Sequence, residues 1–270
     1  MPLPLRPVLR CFALSTLIIA MLGQIGLADD ASTRGLDIAA RSDQSDNGFG
    51  DTETELKMIL TNAAGESTTR ELRITTLERA NADIGDRSLV IFDRPRDIKG
   101  TALLSHSKIL EPDDQWLFLP ALKRTKRISS ANKSGPFVGS EFAFEDITGQ
   151  ELNKYEYKWL REDACGEFMC DVLERIPRYE NSGYTRQEAW YDQTHFQVRK
   201  IDYFDRKSAL LKTQTFEDYR LYDGKYWRSH EFSVTNHQTG KGTKLIFSDY
   251  KFAVGLDDKD FVKGVLARQR

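Results

Sequence analysis

Between Thr52 and Phe252 apolar and polar residues alternate, and turn residues break the alternation at short, nearly regular intervals. This pattern leaves few folds open, because a period of two belongs to a strand with one buried face. Thr54, Leu56, Met58 and Leu60 alternate with Glu53, Glu55, Lys57 and Thr61; Tyr155, Tyr157 and Trp159 alternate with Lys154, Glu156 and Lys158. Further strands are predicted over 71–77, 168–176, 186–192, 197–204, 210–219, 226–235 and 243–252. Asn62-Ala63-Ala64-Gly65, Asn181-Ser182-Gly183, Asp205-Arg206-Lys207 and Asp223-Gly224 supply turn chemistry between them. Leu89-Val90-Ile91-Phe92 is apolar on both faces and reads as a central strand. About ten strands at hairpin spacing make one antiparallel sheet, and a sheet that long curls and presents a concave face. Helical patterns occur only near the ends. One covers 31–45, where Leu36, Ala39 and Ala40 share a face behind Ser32 or Thr33; the other runs Asp258 to Leu266 behind Asp257. The expected fold is therefore mainly β, a single curled antiparallel sheet whose concave face is covered by an N-terminal and a short C-terminal helix. No repeat or linker divides it, so one domain is expected over 29–270.

The N-terminus sets the compartment. Arg6 and Arg10 precede an apolar run from Phe12 to Leu22, and Gly26-Leu27-Ala28 stands before Asp29. Residues 1–28 read as a cleaved signal peptide, with an apolar run too short to span a bilayer. Export to the periplasm makes a disulfide the expected state of Cys165 and Cys170, which close the sequence Cys-Gly-Glu-Phe-Met-Cys between two strands. Closing so small a loop stabilises by roughly 2 kcal/mol. The formal net charge is −2 and mixed in sign, which gives no footprint for nucleic acid.

The stretch from Pro95 to Ile147 departs from simple alternation. The apolar run Trp116-Leu117-Phe118-Leu119 stops at Pro120, and Lys123-Arg124-Thr125-Lys126-Arg127 follows. On a strand, Lys123, Thr125 and Arg127 face one way. The run reads equally as a solvated edge strand, where lysine discourages edge-to-edge pairing, and as a docking patch for anionic headgroups or an acidic partner. Next come Phe137, Phe142 and Phe144 among Ser134, Gly135, Pro136, Gly139 and Ser140. Large apolar side chains in so weakly ordering a loop must cover something. They form either a mouth that opens for an acyl chain or packing over an open barrel end; if a mouth, Phe142→Asp weakens cargo binding and spares the fold. Glu145-Asp146 reads as a loop-ordering pair rather than as an acid–base pair.

Catalytic signatures are missing. There is no Gly-x-Ser-x-Gly elbow, no His-Glu-x-x-His and no phosphate-binding glycine loop. The four histidines, at 106, 195, 230 and 237, are scattered and read as satisfied or solvent-facing rather than as metal ligands. No enzyme, metal or cofactor is expected.

Several segments carry a family resemblance. They are Asp97-Ile98-Lys99-Gly100, Asp114 through Arg124, Arg127-Ile128, Gly139-Ser140-Glu141-Phe142 and Glu145-Asp146. In them the chain resembles the outer-membrane lipoprotein-sorting family with the LolA-like fold, an incomplete barrel closed by helices. The resemblance implies a periplasmic carrier, a monomer, that holds the acyl chains of a lipoprotein or lipid in a hydrophobic cavity. It places Trp116, Phe118, Phe137, Phe142 and Phe144 at the cavity and its lid, and Lys123, Arg124 and Arg127 at a docking rim. The likeness is to the broader branch often associated with export pumps of the resistance–nodulation–division type. A non-enzymatic accessory subunit of such a pump is the alternative.

Overall fold

The computed structural model describes residues 22–79 and 84–268; the expected signal peptide lies largely outside them. The chain opens with α1 (Leu22–Asp46), which ends as Gly48 and Gly50 take up left-handed backbone, at φ of 92° and 71°. A first run of strands follows: β1 (Asp51–Thr61), β2 (Ser67–Leu77), β3 (Ile84–Arg94), β4 (Ala102–Lys108), β5 (Asp114–Leu119) and β6 (Arg124–Ile128). After an irregular crossover, 129–154, comes a second run: β7 (Tyr155–Cys165), β8 (Phe168–Pro177), β9 (Tyr184–Asp192), β10 (Val198–Asp205), β11 (Leu210–Tyr222), β12 (Tyr226–Asn236) and β13 (Gly242–Phe247). The two-residue β14 (Lys251–Phe252) and a short α2 (Lys263–Leu266) close the chain.

All fourteen strands form one antiparallel sheet in the order β6-β5-β4-β3-β2-β1-β13-β12-β11-β10-β9-β8-β7, with β14 added on β1. Each run is a plain meander of hairpins, and the two are stitched where β1 meets β13, from Leu56 opposite Phe247 to Thr61 opposite Gly242. β6 and β7 are the two ends of the sheet, which does not close into a barrel.

The alternation located most strands, and the exceptions have physical reasons. β4, Ala-Leu-Leu-Ser-His-Ser-Lys, is buried on both faces and so shows no alternation. The segment expected as one strand over 243–252 is two, because the chain leaves β13 at Ser248, whose Oγ donates to Glu55 O at 2.8 Å. The closing helix is two pieces, a 3₁₀ turn over Asp258–Phe261 and α2, separated by Val262 in extended backbone. Asp257 caps the first piece by accepting from the Lys259 amide at 2.7 Å.

The sheet has layers on both faces. On the inner face lie α1 and the crossover. α1 buries Ile38 and Ala39 among Tyr155, Tyr157, Leu173 and Tyr191. Its Gly35 rests on the backbone of β7, where a Cβ would fall 2.8 Å from the Trp159 nitrogen; only glycine permits that approach. Arg34 stacks over the Trp159 ring at 3.9 Å and pairs with Asp171 at 2.8 Å. The C-terminal tail, by contrast, packs on the outer face: Phe261 and Leu266 are buried against Leu89, Ile91, Leu104, Trp116 and Phe118. It therefore covers the face opposite to the one expected. Sandwiched between tail and crossover, β3–β5 have no solvated side. Cys165 and Cys170 form a disulfide across the end of the β7–β8 hairpin.

Candidate functional site: a two-lobed cavity on the inner face

The inner face carries two adjoining cavity lobes. The larger, about 430 Å³, lies under α1 and has walls from β2 and β3 as well as from β7–β9, β11 and β12. Strands far apart in the sheet order thus face one space, which is the sign of strong curling. The smaller lobe, about 270 Å³, is walled by β1–β4, β11–β13 and the crossover. They share Thr52, Thr76, Asp86, Gly149, Phe232 and Tyr250.

The lobes differ in chemistry. The smaller has an apolar wall of Ile74, Val90, Phe142, Ile147, Leu245 and Phe247, with threonine and serine hydroxyls, Gln214 and the carboxyls of Asp86 and Asp146 at its border. The larger carries Tyr157, Tyr191 and Tyr219 with Asp43, Asp46, Asp86, Arg175 and Arg228. The interior is therefore amphipathic, where an apolar one was expected.

The crossover forms a wall of this cavity. Its residues 135–144 fold back on themselves, with the Phe137 amide donating to Phe142 O at 2.7 Å and the Phe144 amide to Gly135 O at 3.1 Å. Phe137, Phe142 and Phe144 come together against Phe92 and Leu103, with Phe137 5.8 Å from Phe92 and edge-on to Phe144 at 5.7 Å. Phe142 also lines a surface groove formed by Ser134, Glu141, Tyr184 and Lys207, so its ring divides that groove from the smaller lobe. At 2 % exposure it is packed in the core, so an aspartate there is expected to cost fold stability, where the mouth alternative expected the fold to be spared.

Acidic residues anchor the crossover. Glu145 accepts from the Gly183 amide at 2.8 Å, Ser182 Oγ at 2.9 Å and Tyr179 Oη at 3.2 Å. Burial, followed by its neighbour Asp146, raises the Glu145 carboxyl above the ordinary range. Asp146 accepts from Lys212 Nζ at 2.5 Å, Tyr184 Oη at 2.8 Å and the Ala143 amide at 2.6 Å. These contacts carry loop-ordering roles.

Two of the five residues proposed for the cavity point elsewhere. Trp116 and Phe118 occupy the outward positions of β5 under the C-terminal tail; Trp116 lies edge-on to His106 at 5.2 Å and beneath Lys263 Nζ at 4.4 Å. The strand parity that separates Leu117 from its neighbours decides this. The basic residues sit at the sheet end: Lys123 precedes β6 in a left-handed turn (φ 46°) rather than within the strand, and Arg124 through Arg127 are all exposed. Arg127 also pairs with Asp114.

Reasoning from the sequence missed Arg175. Its parity signal was available, since β8 turns Arg175 inward and leaves Ile176 exposed. The guanidinium donates from Nε to Gln187 Oε1 at 3.0 Å, from Nη1 to Tyr191 Oη at 3.4 Å and from Nη2 to Gln150 Oε1 at 3.5 Å. It also lies 4.8 Å from the centre of the Tyr155 ring. Among the histidines, His230 is held between Tyr222 Oη at 2.9 Å and Phe247 O at 3.1 Å, and His106 reaches Phe261 O at 2.7 Å. No cluster of histidine, cysteine and acids suited to a metal occurs among the described residues.

Asp86, where the lobes meet, has its carboxyl pushed up to about 7 by burial first and by nearby Glu151 second, while the Arg79 amide donates to it at 2.8 Å. The folded protein thus holds a proton that the unfolded chain, with a carboxyl near 3.8, releases. Stability contributed by this site falls as pH rises from about 4 to about 7 and is flat above. Asp86→Asn retains the acceptor for Arg79 and is expected to raise stability at pH 8 by on the order of 2–4 kcal/mol, with no gain at pH 4. Denaturation midpoints followed across that range check it; parallel curves for the two proteins would refute it.

Comparison with solved structures places this architecture. A protein from Vibrio parahaemolyticus, described as an outer membrane lipoprotein-sorting protein domain, is 51% identical, with a TM-score of 0.85 over 88% of this chain and 100% of that one. The chain belongs to the outer membrane lipoprotein-sorting family. A DUF1329 family protein from Desulfovibrio piger is 29% identical, with a TM-score of 0.82 over 87% of this chain and 99% of that one. A LolA superfamily protein from Nitrosomonas europaea shares the fold at 21% identity, with a TM-score of 0.69 over 86% and 98% of the two chains. A family model described as "Uncharacterized protein" matches residues 85–268. No match was found among curated proteins. The lipoprotein-sorting family and its LolA-like fold thus agree with the resemblance seen in the sequence.

Proposed function

We propose that the protein is a periplasmic, non-enzymatic carrier that shields the acyl chain of a lipid or lipoprotein in its inner cavity and moves it toward the outer membrane. The observation that carries this reading is the apolar wall of the smaller lobe, Ile74, Val90, Ile147, Leu245 and Phe247, set apart from a surface groove by Phe142 on a self-bonded loop. Holding a chain there stabilises by roughly 0.8 kcal/mol for each methylene removed from water. Release needs a more apolar acceptor or a partner that shifts the Phe137–Phe142–Phe144 wall. The exposed β6 end, with Lys123, Arg124 and Arg127, is the face offered to anionic headgroups or to an acidic partner surface. That basic end also favours the second reading, an accessory subunit docking on an export pump of the resistance–nodulation–division type.

Mass spectrometry of the mature protein, extracted from its native periplasm without detergent, tests the choice. A defined acyl species bound in stoichiometric amount is the expected result. An empty protein that also takes up no added lipid would leave the docking subunit as the surviving reading.

A further inference from the structure

Resting on the carrier reading, we propose that the cargo is an amphiphile with an oxyanion head, carboxylate or phosphate, and that Arg175 is the counter-ion which seats that head in the larger lobe. Arg175 is 4 % exposed, lines the cavity, and is held only by neutral groups: two glutamines, the Tyr191 hydroxyl and the face of Tyr155. It forms no ion pair with a described residue. Buried cations are ordinarily paired: Lys212 has Asp146 and Lys154 has Asp113, while Lys133 lies over the Tyr179 ring at 3.8 Å outside the cavity lining. Of the two buried cations without an ion pair among the described residues, Arg175 is the one that lines the larger lobe.

The position of the other charges supports this. Asp43, Asp46 and Asp86 gather toward α1 and β3, with Asp46 taken by Arg228 and Asp86 beside Glu151. No carboxylate pairs with Arg175 among the described residues, so the β8 side of the lobe carries an uncompensated positive charge while the acids are carried by α1 and β3. An anionic head is drawn to one wall and repelled from the other, which orients it. The planar fork of guanidinium suits a carboxylate or phosphate, and Gln150, Tyr157 and Tyr191 border the same space. The tail then lies along the apolar wall of the smaller lobe, which shares Phe232 and Tyr250 with the larger.

The test is displacement of the neutral dye N-phenyl-1-naphthylamine from the mature protein at pH 8 by palmitate, by its methyl ester and by palmitoyl lysophosphatidic acid. An acid is expected to bind at least about tenfold more tightly than the ester in the wild type, a preference lost in Arg175→Gln and partly kept in Arg175→Lys. The tighter of the two acids assigns the head as carboxylate or phosphate. Equal displacement by acids and ester in the wild type overturns the inference with no variant needed and leaves the carrier reading standing. Failure of all three ligands overturns the carrier reading and this inference with it.

Discussion

Replacing Lys212 with methionine is expected to destabilise the protein by about 3–5 kcal/mol. Its side chain and that of Asp146 are both nearly fully buried, 3% and 5% exposed, and their charges meet at 2.5 Å. Lys212 also donates to Glu141 O at 2.9 Å, so one ammonium ties β11 to the crossover at two points. Removing it strands a buried carboxylate, which must either take up a proton or draw water into the wall. Adding Asp146→Asn removes the stranded charge, so the double variant should recover part of the loss. Urea denaturation of the single and double variants measures both quantities. A single-variant loss below about 1 kcal/mol would mean that the pair does not anchor the loop.

Phe142→Ala should cost about 3–5 kcal/mol as well, the usual range for emptying a buried phenylalanine site. Unlike the lysine change, it also removes the partition between the smaller lobe and the groove beside Ser134 and Tyr184. The variant is therefore expected to release a bound acyl probe faster than wild type while native structure is still present. Stopped-flow dilution of the loaded protein, at a temperature well below its unfolding, separates the two effects. Destabilisation with an unchanged release rate would make Phe142 a core residue with no gating part.

The fold was legible where one face of a strand is wet. β1 shows its parity because Glu53, Glu55 and Lys57 face solvent, and β7 shows it through Glu156 and Lys158. It was illegible where both faces are covered, as in β4, whose Leu103 and Leu104 face different cores. For the same reason Trp116 and Phe118 looked like companions of Phe137, yet parity turns them to the other side of β5, where what buries them is a tail that returns from residue 261. The phenylalanine loop could be recognised because small residues surround its rings. Arg175 could not be recognised by composition; its meaning comes from the absence of a described acidic partner, a fact about positions distant in the chain.

The stitching of the two meanders at β1 and β13 bears on how the chain can assemble. Every other pairing along the main path joins strands consecutive in sequence, so each needs only a short loop to close. The pairing of Leu56 with Phe247 instead spans most of the chain. The entropic cost of topology is thus concentrated at one seam, and each meander can gather its local contacts before that seam is joined.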